Sequence, residues 1–371
     1  MKYISTRGGA DAVDFVTAAR AGLAPDGGLY VPASYPSIAP VGPRETYIET
    51  AARIMSAFAG GTISESVTAS LVAEAYAPFG HDAVAPIRQV SGGRWLQELF
   101  HGPSLAFKDV AMRMIARIFD HVLTERGERM IILCATSGDT GGAAASAFAG
   151  AKSIELVILH PKGRVSEVQR RFMTATGASN VHNLALEGDF DGTQKILKQL
   201  LADDDLRQRT GLAAVNSINW LRIAAQSVYF ARVQAALGAD RPIQFVTPTG
   251  NFGDAFSGYV AAQSGLVKDF ACLAAVNEND ALVDLFGGRP AGSRQSKATL
   301  SPAMDIQAPS NFERLLFDAA GRSGQMVRER MSGELSERPE IARRIREYGF
   351  TVERVSDADT RREIQQTYRE C

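Results

Sequence analysis

Residues 130–149 read MIILCATSGDTGGAAASAFA. A continuous apolar run, Met130–Ala135, stops at hydroxyls and glycines, Thr136 to Gly142, and small residues carry on at helical spacing to Ala149. A short unbroken apolar run bounded by turn residues marks a strand buried on both faces. A glycine-rich turn then leads it into a helix.

The same unit recurs on either side. Apolar runs lie at Ile154–Leu159, Val181–Leu186, Leu212–Val215, Ile243–Thr247 and Phe270–Val276. Helical runs fill the spaces: Val110–Leu123, Val165–Ala175, Thr193–Leu201, Leu221–Leu237 and Ala255–Ser264. The alternation predicts an α/β fold with parallel sheets covered on both faces, whose ligands bind beyond the carboxyl ends of the strands. Outside this core the pattern changes. Residues 1–90 read as a mainly helical cap, with helical periodicity at Ala10–Ala21 and Arg44–Ala59 around a proline-rich connection. Beyond Val276 helices are expected at Asn279–Phe286, Phe312–Ala320, Pro339–Tyr348 and Asp357–Glu370, with a polar loop at Gly287–Lys297.

At 371 residues and 45% hydrophobic, the chain can bury a core of two or three domains. A net charge of −1 gives no reason to expect nucleic acid or an acidic membrane as partner. Three distant cysteines, Cys134, Cys272 and Cys371, suit a reducing compartment, and Cys134 reads as a core residue. The five histidines show no metal-ligand spacing, and no apolar stretch has membrane-spanning length. The default is a cytoplasmic enzyme.

Four strand-end loops carry the chemistry. In the first, the backbone amides of small residues and the hydroxyls of Thr136, Ser137 and Thr140 suit a carboxylate or phosphate, unless the glycines serve only close helix–strand packing. The second, PTGNFGD at Pro248–Asp254, brackets Asn251 and Phe252 with Gly250 and Gly253. It resembles a phosphate cradle with permissive φ values and a helix start behind it; Asp254 as a mere N-cap is the competing view. It lacks the lysine of a nucleoside-triphosphate loop. The third, Asn216–Arg222, offers Asn216, Ser217 and an arginine, Arg222, that suits either a phosphate clamp or a surface ion pair. The fourth, His160–Ser166, is basic and equally ambiguous.

Upstream, LFHGPSLAFKDV at Leu99–Val110 places Lys108 in the first turn of an amphipathic helix. The positive end of the helix dipole and partial burial both disfavour an ammonium there, and a neutral amine is what condenses with an aldehyde. The bland alternative is a snorkelling surface lysine. One lysine, one phosphate cradle and a second anion pocket together suggest pyridoxal phosphate.

The motifs SLAFKD, ATSGDTGGA, NSIN and PTGNFGD, in this order and spacing, resemble the threonine synthase family. The similarity is greatest to its bacterial and fungal branch. STRG near the start, DGGLYVP at Asp26–Pro32 and SPAMDIQ at Ser301–Gln307 resemble that branch too, so the resemblance spans the chain. It implies a pyridoxal-phosphate enzyme of fold type II, like the β subunit of tryptophan synthase. The expected segments are a cap over 1–90, an α/β domain over 91–240 bearing Lys108 and the substrate loops, and a cofactor-phosphate domain over 241–371. It implies conversion of O-phospho-L-homoserine and water to L-threonine and phosphate, by a monomer or homodimer.

Motif by motif, the resemblance makes Lys108 the Schiff-base lysine and Gly250, Asn251, Phe252 and Gly253 the cofactor-phosphate loop, oriented by Asp254. Thr136, Ser137 and Thr140 would hold the substrate carboxylate. Asn216, Ser217 and Arg222 would grip the substrate phosphate. Asp139 falls where many relatives have asparagine beside the cofactor's 3′-oxygen, so it would share a proton with that oxygen or stay neutral. The branch continues past this point, by roughly a hundred residues or fewer. That continuation carries a TAHPAKF-like segment whose threonine contacts the pyridine nitrogen. The 371 residues contain no such segment, so the domain over 241–371 is expected to be truncated. A chain ending there is expected to bind the cofactor but turn over poorly and to expose apolar surface. The alternatives are a phospholyase of the same fold releasing 2-oxobutyrate, and a catalytically impaired cofactor-binding fragment.

Overall fold

The computed structural model describes residues 1–136, 138–289, 295–331 and 339–370. Ser137 and Cys371 lie outside the described residues, as does part of the expected Gly287–Lys297 loop. In chain order the elements begin with β1 (Tyr3–Ser5), α1 (Phe15–Ala21), β2 (Tyr30–Pro32), α2 (Tyr47–Ala59), α3 (Glu65–Tyr76), β3 (Ile87–Ser91), β4 (Arg94–Gln97) and α4 (Lys108–Arg126). The alternating core follows as β5 (Met130–Ala135), α5 (Asp139–Phe148), β6 (Ile154–Pro161), α6 (Glu167–Thr174), β7 (Val181–Leu186), α7 (Phe190–Ala202), α8 (Asp204–Thr210), β8 (Ala213–Ala214) and α9 (Trp220–Leu237). Then come β9 (Gln244–Pro248), α10 (Gly253–Gln263), β10 (Ala271–Val276), α11 (Ala281–Phe286), α12 (Phe312–Ala319), α13 (Gly324–Met331), α14 (Pro339–Glu347), β11 (Phe350–Arg354) and α15 (Asp357–Glu370). All six expected apolar runs form strands, and all pair parallel within their sheets.

The chain packs as two compact units, one of residues 14–22 and 41–236 with Met1, the other of 2–13, 23–40 and 237–371. This division runs across the expected cap. Its helices α1 to α3 belong to the first unit, whereas the antiparallel pair β1–β2 belongs to the second. The sequence division at 90 and 240 follows motifs, and packing follows the hydrogen bonds of the paired strands.

In the first unit a parallel sheet runs in the order β7-β6-β5-β8. The chain leaves β5 for β6 on one side and later returns to β8 on the other. The loops after β5 and β8 are therefore neighbours at a switch point, the place where open α/β sheets bind ligands. Leu133, Leu159, Leu197 and Leu212 form a buried cluster against this sheet. The α4 stripe Val110, Ala111, Met114, Ile115, Ile118, Phe119, Val122 and Leu123 is wholly buried, as its spacing predicts. In the second unit the sheet runs β11-β10-β9, all parallel. Among the described residues no helix is long and apolar enough to cross a membrane.

Candidate active site

Lys108 is the first residue of α4. The turn before it is held by Asp109, whose buried carboxylate accepts from the Ser104 amide and hydroxyl, both at 2.7 Å. Gly102 has no side chain because a Cβ there would lie 2.4 Å from that carboxylate. Burial pushes the Asp109 carboxyl above its ordinary range, and the two Ser104 donors and Arg113 oppose the shift.

The Lys108 side chain is 13% exposed, and its Nζ lies 3.3 Å from Asp139 Oδ2 and 5.1 Å from the centre of the Phe107 ring. Burial lowers the amine's pKa. Arg222 acts in the same sense, and Asp139 opposes. The snorkelling alternative does not hold, because the side chain is packed away from solvent.

Asp139 opens α5. Its second oxygen accepts from Gln169 Nε2 at 2.8 Å. The Gln169 amide is oriented in turn by the N-cap of α6: Ser166 Oγ donates to Gln169 Oε1 at 3.0 Å. Gly138 lies beneath it, where a Cβ would come within 2.2 Å of the Gln169 carboxamide. Gly141 and Gly142 similarly leave room for Met173 and Phe172 of α6. The glycines of the first loop thus serve close helix packing, and that packing brings Gln169 to Asp139. Sequence reading missed Gln169. Its only signal is its place three residues after Ser166, in the fourth loop's helix. Lys162 in that loop pairs with Glu187 at 2.7 Å, the surface ion-pair alternative.

Thr136 is buried, and its hydroxyl is not simply a donor to a ligand: Oγ1 accepts from the Gly138 and Gly141 amides at 2.9 and 3.0 Å. It braces the loop from within. Thr140 is the second residue of α5 and half-buried. Its N-cap residue, Gly138, has no side chain and Thr136 takes the Gly141 amide, so the Asp139 and Thr140 amides at the helix start suit an anion.

Arg222, third residue of α9, is 4% exposed. Among the described residues no carboxylate pairs with its guanidinium, so the surface ion-pair alternative fails here. Burial draws its pKa down to about 10, which leaves it charged at neutral pH. A buried cation of this kind calls for an anion from outside the chain. Asn216 is exposed and Ser217 half-buried on the loop leading into α9. Asn219 anchors that loop by donating to the Ala19 carbonyl at 2.7 Å. Cys134 is a core residue whose thiol burial pushes up to about 12.

In the second unit, the loop after β9 has a different geometry from the expected one. Neither Gly250 nor Gly253 takes a positive φ; Phe252 does, at 62°. Its ring is buried against Phe286, Phe312 and Phe350, and this packing holds the strained backbone. Gly250 is needed for space, since a Cβ would lie 3.0 Å from Ile306 and 3.1 Å from Met304. The N-cap of α10 is Phe252, with no side-chain bond, and Asp254 lies inside the first turn. The view of Asp254 as a mere N-cap is therefore wrong. The uncapped helix start and the close-packed glycine fit a phosphate, and the buried, weakened base of Lys108 fits an aldehyde.

Two family models match the chain: "Pyridoxal-phosphate dependent enzyme" over residues 83–334 and "Threonine synthase N terminus" over residues 2–76. With the parallel sheets and Lys108, the first defines a pyridoxal-phosphate-dependent enzyme of fold type II. A threonine synthase of Pseudomonas aeruginosa is 46% identical over 384 aligned residues, covering 100% of this chain and 80% of that protein. The crystal structure of threonine synthase from Brucella melitensis with pyridoxal phosphate bound superposes with a TM-score of 0.91 at 45% identity, over 96% of this chain and 78% of that one. The yeast threonine synthase structure gives 0.91 at 34% identity, over 100% of this chain and 79% of that one. The chain belongs to the threonine synthase family; it is a lyase, and its cofactor is pyridoxal phosphate.

Proposed function

We propose that the chain converts O-phospho-L-homoserine and water to L-threonine and phosphate, with Lys108 as the residue that carries the cofactor. When bound, pyridoxal phosphate supplies an electron sink that acidifies the substrate's Cα proton. The rest falls to the side chains. Lys108, as a neutral amine, would take the Cα proton and then serve Cβ. Asp139 would face the cofactor's 3′-oxygen, sharing a proton with it or staying neutral. Thr140, Ser137 and the start of α5 hold the substrate carboxylate, with Thr136 shaping the loop. Arg222, with Asn216 and Ser217, binds the substrate phosphate and stabilises it as it leaves. Gly250, Asn251, Phe252 and Gly253 hold the cofactor phosphate, and Asp254 orients that loop. We also propose a cytoplasmic setting and a monomer or homodimer.

The observation that carries this reading is the buried guanidinium of Arg222, whose charge reaches the Lys108 amine and which no described carboxylate neutralises. The test is turnover of O-phospho-L-homoserine by the purified protein with pyridoxal phosphate. L-Threonine and phosphate in equal amounts are expected. 2-Oxobutyrate instead of threonine would assign the chain to a phospholyase of the same fold, and no phosphate release would overturn the reading.

A further inference from the structure

Three motifs that mark the family by sequence, STRG, DGGLYVP and SPAMDIQ, have no part in the chemistry above. In the second unit SPAMDIQ lies against the glycine-bracketed loop, and the other two reach helix α12, whose N-cap residue Asn311 holds that loop. Asn311, wholly buried, donates twice to the Asn251 carbonyl, from its backbone amide at 3.1 Å and from Nδ2 at 3.2 Å. Arg314, also wholly buried, donates from Nη1 to Asn311 Oδ1. Its Nε donates to the Tyr30 carbonyl at 3.0 Å. Tyr30 is the first residue of β2 and pairs with Ser5 of β1. Between Asn311 and Arg314 on the same helix, Glu313 accepts from Thr6 at 2.6 Å and from Arg7 at 2.9 Å. On the loop's other side, Met304 and Ile306 press on Gly250.

We propose that Asn311 and Arg314 are positioning residues for the loop Thr249–Phe252, and that β1–β2 reaches the cofactor phosphate through them. The inference rests on the reading of that loop as the phosphate site. A peptide group has two ends. With the Asn251 carbonyl held by two donors, the peptide plane between Asn251 and Phe252 is fixed, and the Phe252 amide is held by Thr249 Oγ1 at 3.1 Å. The left-handed Phe252 cannot relax while both ends are pinned. The loop thus meets a phosphate already shaped, and binding need not order it. Arg314 fixes which way the Asn311 amide faces: with Oδ1 accepting from a guanidinium, Nδ2 must point to Asn251.

The test is equilibrium binding to the apo-protein, read by tryptophan fluorescence, of pyridoxal phosphate and of pyridoxal, which keeps the aldehyde and lacks the phosphate. Asn311→Ala removes the second donor. Asn311→Asp, of the same shape, keeps the acceptor for Arg314 and removes the same donor, so it carries the test if the alanine variant does not fold. Gly250→Ala disturbs the loop directly. The expectation is about tenfold weaker pyridoxal phosphate binding in all three variants, with pyridoxal binding unchanged. If Gly250→Ala weakens pyridoxal phosphate alone and the Asn311 variants match the parent, the positioning role is refuted and the loop assignment stands. If Gly250→Ala leaves the preference for the phosphorylated ligand intact, the loop assignment itself fails. Equal weakening of both ligands by the Asn311 variants would reduce Asn311 to a general structural role and overturn the proposal.

Discussion

Lys108 Nζ and Asp139 Oδ2 lie 3.3 Å apart, each in the first turn of its own helix. A buried amine is held between an anion that favours its proton and an arginine that disfavours it. The balance sets when the lysine is a nucleophile.

Removing the anion tips that balance. Asp139→Asn leaves burial and Arg222 unopposed, so the ammonium is disfavoured further and the amine's pKa falls. In the apo-protein, acetylation of Lys108 followed by mass spectrometry as a function of pH should show a midpoint below that of an ordinary lysine. Asp139→Asn should lower it further, since the anion that favours the ammonium is gone. A higher midpoint in the variant would show that Asp139 does not act on the amine as an anion.

Gln169 holds Asp139 from the other side, and Gly138 makes room for it. Gln169→Leu should cut kcat/KM about tenfold, on the scale of one hydrogen bond to a charged group, with little loss of thermal stability. Gln169→Glu places a second carboxylate against Asp139 and should raise the Lys108 midpoint. The pH profile of acetylation checks that sign.

Arg222 is the reverse of a stabilising residue. Without an anion its burial is unfavourable, so Arg222→Met should raise the melting temperature of the apo-protein, by roughly 2–4 °C. Inorganic phosphate should raise the melting temperature of the parent and not that of the variant. Threonine formation should fall by at least two orders of magnitude, roughly the cost of losing a charge-assisted contact to the leaving group. A variant that melts lower and still responds to phosphate would make Arg222 a structural cation.

Thr136 braces the first loop by accepting two backbone amides in a buried place. Thr136→Val keeps the shape and leaves both amides without that acceptor, so it should cost about 2 kcal/mol or more in denaturant unfolding. Thr136→Ser should recover most of that loss.

The alternating core was legible because most of its strands are dense in apolar residues, although β7, VHNLAL, carries His182 and Asn183. The observed bounds Met130–Ala135 and Val181–Leu186 match the runs residue for residue. What escaped notice lacks that signature. Helix α3, ESVTASLVAEAY, has little amphipathic contrast. The hairpin β3–β4 and the edge strand β11, FTVER, mix charges with apolar residues because most of their side chains face solvent. Lys108 could be singled out because helix position and apolar flanks are local features. Gln169, Asn311 and Arg314 could not, since each acts on a loop distant in sequence, and no local spacing joins Gln169 to Asp139 or Asn311 to Asn251. Phe252 escaped for a related reason: its left-handed backbone is held by aromatic rings from three other segments, while the neighbouring glycines drew the inference of permissive φ.

Borohydride reduction of the protein loaded with pyridoxal phosphate converts a lysine–aldehyde double bond to a stable secondary amine, and peptide mapping then finds the lysine that carries it. The pyridoxyl group should be found on Lys108, and Lys108→Ala should leave the protein unlabelled. Label on another lysine of the parent protein, or labelling that survives the loss of Lys108, would contradict the assignment.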